Sequence, residues 1–528
     1  MSQESRSAPG FDRRRFLGTV AGGAALAGAA PLLAACGGGT PGAAEAAASG
    51  PPKRGGTLRV GLAGGGAKDS VDPHIAATNP DIARVCNMYE PLAWRDAQYR
   101  MEMVLAESIE PSKDARTWTA RLRKGVKFSD GRDVTADDVI ASFKRMTDPK
   151  SPGNLAASLS MLDHMTKRDK RTVEFHLTTP TAIFDDLVGQ YSGGIIPTDF
   201  DLKKPIGTGA FKLDTFSVGQ QSTHSRNPYY WREDEPYLDK LVLIDFPDDN
   251  ARVNAMLANQ VDAIDNVPLA LAKVLRTDPR LRVLDSTTGS WLPFTMRVDK
   301  APFDDVRVRQ AMRLVVDREQ MIRQVLSGQG RVGNDMYAPF DPGYAKELPQ
   351  RKQNIAEAKR LLKAAGKPDL TVELVTSPIQ AGIVEAAQVF AKQAAEAGIT
   401  VKIRKVDTST FFGDQYLKWP FAQDFWYTRN YLSQVATGSV KGAPFNETHW
   451  GGDKEFMRLY HEAVSTLDEK KRTELMKKLQ KIEYERGGYI VWGFPNQVDA
   501  YTRYVGGLEP DRTGLPLNCY RFRKAWQA

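Results

Sequence analysis

The sequence is short of the residues that announce chemistry. It has three cysteines and six histidines in 528 residues. No two cysteines stand in a CxxC spacing. The histidines (74, 164, 176, 224, 449 and 461) form neither HxxxH nor HExxH, so no dedicated metal site is expected. There is no GxSxG elbow for a serine nucleophile. Gly61–Ser70 (GLAGGGAKDS) follows a strand signal and superficially resembles a phosphate loop. A P-loop needs Lys directly after its last Gly and a hydroxyl next, whereas Ala67 intervenes and Asp69 follows the lysine. A flexible turn fits better. The adjacent carboxylates Asp137-Asp138, Asp185-Asp186, Asp248-Asp249 and Asp304-Asp305 point in different directions on any regular backbone, and read as helix caps rather than acid/base dyads. Neither a cofactor nor catalysis is expected.

Charge is equally uninformative about large partners. The formal net charge is +8, about +6 of it beyond the first 35 residues, with no Lys/Arg block of the kind that grips nucleic acid. With 41% hydrophobic and 26% charged residues, the composition is that of an ordinary globular chain, long enough for several domains.

The N-terminus does carry a signal. Arg13-Arg14-Arg15-Phe16-Leu17 precedes an Ala/Gly-rich apolar run that stops at Cys36. A basic segment followed by an apolar one is an export signal, and the adjacent arginines are of the twin-arginine (Tat) type. Leu33-Ala34-Ala35-Cys36 resembles a lipobox, whose cysteine takes the lipid after cleavage; an uncleaved anchor over 16–35 is the alternative. Residues 1–35 are therefore expected to be a Tat-like lipoprotein signal peptide and 36–54 a Gly/Ala/Pro tether. Localisation is expected to be exported, periplasmic or at the cell surface. Cys86 and Cys519 then remain, to pair outside the cytoplasm or to serve as small buried hydrophobes.

Periodicity places regular structure along the rest. TLRVG (57–61), TWTARL (117–122) and VEFHL (173–177) read as strands, and 211–227 as a hairpin turning near Gly219. Thr135 through Asp138 start an amphipathic helix with a capping-box pattern. Asp305 precedes another helix. From 354 to 406 a helix closed by Gly366, a strand, a helix closed by Gly398 and a strand make a βαβ unit with parallel pairing. Helical pattern returns over 453–486, and no internal repeat is present.

Several stretches together resemble one family. WTARLRKGVKFSDGRDVTADDVIASFKR (118–145) is similar to the signature region of family 5 extracellular solute-binding proteins, the oligopeptide-, dipeptide- and nickel-binding class of ABC importers. VDPH (71–74), MYEPL (88–92), LAES (105–108), PIGTGAFKL (205–213), RNPYYW (226–231), PYLDKLVLIDF (236–246), ARVNAMLANQVDAID (251–265), PFDDVRVRQAMRLVVDRE (302–319) and AEAKRLLKAAG (356–366) follow in the family's order. The resemblance implies an α/β, two-lobed periplasmic-binding-protein fold of type II, the large class with an extra subdomain, joined by a hinge. Lobe I would take 55–290 plus 495–528, with 93–202 as the extra subdomain, and lobe II 291–494. Hinge crossings would lie near 290–299 and 489–496.

Function follows as an expectation: a monomeric receptor, lipid-anchored at Cys36, that captures a small solute and delivers it to ABC permease subunits. A sensory receptor or an extracytoplasmic hydrolase on the same scaffold are the alternatives. Peptide-binding members carry a Trp followed three residues later by an Asp that pairs with the peptide ammonium. Here Trp426 is in place but the position three on is Arg429, in WYTRNYLSQ. The sign is inverted, which implies a carboxylate or another anion at that spot. The rival partner for Arg429 is a protein acid such as Asp424. Tyr427, Asn430, Trp291, Tyr337, Asn446 and His449 complete the expected ligand contacts.

Overall fold

The computed structural model describes residues 47–150 and 153–528. The export signal and Cys36 lie outside them.

Three sheets organise the chain. The largest has seven strands in the order Leu281–Ser286, Gln497–Thr502, Ala263–Ile264, Thr57–Ala63, Lys240–Phe246, Gln221–Arg226 and Phe211–Ser217. Its centre is parallel, Thr57–Ala63 running beside both Lys240–Phe246 and Ala263–Ile264, and its flanks are antiparallel. The hairpin at its edge turns through Gly219 at φ +69°, where a left-handed residue without Cβ is needed.

A four-stranded antiparallel sheet follows the order Ala106–Pro111, Thr117–Leu122, Thr172–Leu177, Leu162–Asp169. The helix Ala136–Met146 packs on it through Val139, Phe143 and Met146, and Asp138 accepts from Thr135 N at 2.9 Å to close its first turn.

The third sheet has five strands: Thr400–Lys405, Thr371–Thr376, Phe421–Gln423, Phe294–Met296 and Tyr489–Ile490. Thr371–Thr376 and Thr400–Lys405 pair in parallel across the helix Ile383–Ala395, which buries Ile383, Ala387 and Phe390 on the sheet. That is the expected βαβ unit. Asp305 caps Val306–Leu314 by accepting from Arg307 N at 2.8 Å, and Asp248 caps Asp249–Leu257 in the same way.

The chain crosses from the seven-stranded to the five-stranded sheet between Ser286 and Phe294, and returns between Ile490 and Gln497. Two crossings side by side make a narrow waist.

Candidate functional site

Residues 424–430 run along this waist and are pinned from both sides. Trp426 exchanges two backbone hydrogen bonds of 3.0 Å with Trp291 in the first crossing. Thr428 is the pivot. Its amide donates to Thr513 O at 3.2 Å, its hydroxyl donates to Arg512 O and accepts from Gly289 N at 2.9 Å, and its carbonyl accepts from Tyr99 Oη at 2.8 Å. Three sequence-distant segments therefore meet on one residue. Close approach is what permits this: a Cβ on Gly514 would lie 2.1 Å from Ser290 Oγ.

Trp426 begins a stack of rings running into the core. Trp291 lies 6.0 Å from it at 13°, Tyr337 lies 5.0 Å beyond, and Tyr431 5.4 Å beyond that. On Trp426 itself sits Arg429, its Cζ 5.4 Å from the ring centroid. The aromatic neighbour is thus real. It is not the whole environment.

Arg429 Nη1 donates to Thr437 Oγ1 at 2.9 Å, and no carboxylate lies within ion-pair distance of it among the described residues. Burial pulls its pKa below the usual arginine range, opposed by Tyr99, Tyr191 and Asp186. Asp186 is already engaged: Arg95 holds it, with Nε at 3.1 Å, and Ser433 Oγ donates to its other oxygen. Asp424, the rival partner, is committed elsewhere. It accepts from Tyr416 Oη at 3.1 Å and from its neighbour's amide, and it lies buried beside Glu447. Burial pushes Asp424 up to about 7 and Glu447 well above the usual carboxylate range. Both carboxyls are thus held toward the protonated form.

Two cavities open on either side of Arg429. One, about 260 Å³, is lined by Asn154, Leu155, Gln190, Tyr191, Thr437 and Phe445 among others. The second, about 90 Å³, is lined by Arg95, Tyr99, Tyr191, Tyr427, Cys519 and Arg521 among others. No carboxylate lines either one. Arg95 and Arg521 are neutralised from behind by Asp186 and Asp511, Arg521 at 3.1 Å from its acid. Arg429 is the guanidinium left facing open space. Its fork can take a carboxylate bidentately.

The expected contacts divide. Arg429 and Tyr427 line these cavities, and Trp426 lies beneath the guanidinium and lines a third of about 60 Å³ at the crossings. Asn430 lines a neighbouring cavity of about 470 Å³ with Arg95 and Asp341. Trp291 is buried beneath Trp426, 1% exposed. Tyr337 is a core residue whose hydroxyl donates to Glu483 at 2.9 Å. Asn446 holds a turn, donating to Val440 O at 3.0 Å and accepting from Trp450 N at 3.2 Å. His449 sits against Leu417 O at 3.0 Å beside Asp299. Each of these last three has its polar atoms consumed by protein partners, so none lines the two cavities at Arg429.

Sequence reasoning missed Tyr99, Thr428, Asp186 and Ser433. Asp186 does not cap its helix as its pairing with Asp185 suggested. It joins Arg95 to Ser433 in Tyr431–Gly438 instead.

Comparison with known proteins agrees with this architecture. Residues 100–439 match the bacterial extracellular solute-binding proteins, family 5 Middle. Di/tripeptide-binding protein 2 of Pseudomonas aeruginosa (strain UCBPP-PA14) is 30% identical over 444 residues, 76% of this chain and 83% of that protein. Dipeptide-binding protein DppE of Bacillus subtilis (strain 168) is 26% identical over 482 residues, 83% of this chain and 87% of the relative. Among solved structures, the periplasmic binding protein AgaA in complex with agropinic acid has a TM-score of 0.78 at 24% identity, covering 90% of this chain and 99% of its own. DppA from Helicobacter pylori in complex with peptide STSA has a TM-score of 0.77 at 23% identity, covering 90% and 98%. These structural likenesses establish the two-lobed α/β fold.

Proposed function

The chain belongs to the bacterial extracellular solute-binding proteins of family 5, and we propose that Arg429 sets what it carries. It is the substrate-binding component of an ABC importer, which captures a small solute between its two lobes and delivers it to the permease. The finer reading is that the solute is an anionic, peptide-like compound or amino-acid derivative. It docks with its carboxylate on Arg429.

One observation carries this. Among the described residues, a guanidinium half-buried at the meeting of two cavities has no acid partner, and neither cavity has a carboxylate to receive an ammonium. A half-buried guanidinium without an acid carries a desolvation cost that an arriving carboxylate offsets. The peptide named in the 30% identical relative's description supports a peptide-like scaffold. The inverted charge argues against recognition of a free amino terminus at this spot.

The remaining expectations join the proposal. Lobe I comprises 55–290 with 495–528, and lobe II 291–494, supported by the return of Gln497–Thr502 to the seven-stranded sheet. Residues 93–202 form the extra subdomain, supported by the separate four-stranded sheet. Export as a lipoprotein through Cys36 rests on the N-terminal motifs. No helix among the described residues is long and apolar enough to cross a membrane.

A thermal-shift series tests the carboxylate reading. Dipeptides and their N-acetyl derivatives should stabilise the protein, and their C-terminal amides should not. Equal stabilisation by acid and amide would contradict it.

A further inference from the structure

Solute capture leaves two thiols unexplained. Cys86 lies in the helix Asn79–Met88 and Cys519 in the C-terminal turn Pro516–Cys519. Both are buried in one apolar cluster, and each thiol is the leading influence on the other's pKa, Cys86 pushed up and Cys519 pulled down. Flanking groups enforce the approach. Asn87 Nδ2 donates to Tyr520 O at 2.7 Å, and Asn87 Oδ1 accepts from Phe522 N at 3.2 Å. The residues next to the two cysteines are thus clamped together across almost the whole chain.

The turn itself needs holding. Leu517, Asn518, Cys519 and Tyr520 have φ of 47°, 59°, 56° and 54°, four consecutive side-chain-bearing residues in the left-handed region. Such a run is disfavoured by contact of Cβ with the following carbonyl. Leu517 N donates to Asp499 Oδ2 at 2.7 Å and Tyr520 Oη to Asp265 Oδ2 at 2.6 Å. Neither bond reaches the 79–88 helix. Cys519 also lines the smaller cavity beside Arg429.

We propose that Cys86 and Cys519 become a disulfide in the exported protein, stapling the left-handed C-terminal turn to the 79–88 helix behind the solute cavity. This rests on the reading of the chain as exported. The fold brings the two segments into one cluster through the Asn87 bonds before any link is made. Cys519 is the attacking thiolate: Cys86 and the charge of Arg521 lower its pKa, while Cys86 stays protonated. Its sulfur attacks a disulfide of an extracytoplasmic thiol–disulfide oxidoreductase, and the oxidant's second sulfur leaves as thiolate. Cys86 then gives up its proton and attacks the Cys519 sulfur, releasing the first oxidant sulfur. Two protein thiols lose two protons and two electrons, and the oxidant's disulfide becomes two thiols.

Two arms test this separately. In the first, full-length chain purified reduced is exposed to oxidised glutathione and its peptides are mapped by mass spectrometry. A peptide joined through Cys86 and Cys519, two hydrogens lighter, is expected. Glutathione adducts on either cysteine without the link would overturn the pairing geometry. In the second, the protein is acid-quenched in the envelope fraction and alkylated after unfolding. Alkylation only after reduction is expected; two freely alkylated thiols there, with linkage in the first arm, would overturn the bond in the cell and count against export while leaving solute binding intact. Reduction should also lower the thermal midpoint of the oxidised wild type and leave a Cys86→Ser/Cys519→Ser variant unmoved. An equal response in both would contradict the staple.

Discussion

Replacing Arg429 with Gln separates a ligand anchor from a structural arginine, because the two roles predict opposite signs. In the ligand-free protein Arg429 has one side-chain hydrogen bond, to Thr437, and a ring contact with Trp426. Losing the ring contact costs about 0.5–1 kcal/mol at a partly exposed site. Against this, relief of an uncompensated, half-buried cation returns on the order of 1 kcal/mol or more. The ligand-free variant should therefore match or exceed the wild type in urea denaturation. Binding should fall steeply. A ligand carboxylate left without its guanidinium loses about 2–5 kcal/mol, roughly 30- to 5,000-fold in Kd. Arg429→Lys keeps the charge but not the fork and should lose about tenfold. Calorimetry on the co-purifying solute reads the second quantity. A ligand-free variant destabilised by more than about 2 kcal/mol with unchanged affinity would refute the reasoning.

Other expectations follow from the same contacts. Asp424 is held protonated up to about 7 by burial, so the folded state binds more protons than the unfolded one and stability falls as pH rises from about 4 to about 7. Asp424→Asn should therefore gain roughly 1–3 kcal/mol over wild type at pH 7.5 and little at pH 4, and a pH-independent difference in denaturation would count against the raised Asp424 pKa. Asp335 lies buried between Arg318, at 2.7 Å, and Arg351, at 2.6 Å; Asp335→Ala strands two guanidiniums and should cost about 3–5 kcal/mol, whereas a loss under about 1 kcal/mol would show that water compensates them. Ser433→Ala removes a bond that joins the Asp186 cluster to the Tyr431–Gly438 helix and should speed solute release about threefold to tenfold in stopped-flow, with an unchanged rate arguing that Arg95 alone holds Asp186.

Local signals account for what was legible beforehand. The Thr135–Asp138 cap, the helix-ending Gly366 and Gly398, and the alternation in TWTARL each act within a few residues, and each is observed where expected. The inverted charge at Arg429 was visible from its spacing to Trp426. Its lack of an acid partner was not, because that depends on Asp424 turning to Tyr416 and Glu447 and on Asp186 being taken by Arg95. Tyr337 shows the same limit: Glu483, 146 residues away, claims its hydroxyl and places it in the core. Asp186 and Ser433 meet across 247 residues, and nothing in Asp185-Asp186 distinguishes a bridging acid from a capping one. Side chains whose roles are set by distant partners carry no local mark.

The central claim is that the protein exists to hold an anion at Arg429, and native mass spectrometry of the gently purified chain tests it most directly. The account predicts one small molecule per chain, released on denaturation, bearing a carboxylate and absent from Arg429→Asp. A bound cation or metal complex, or a ligand retained undiminished by Arg429→Asp, would contradict it.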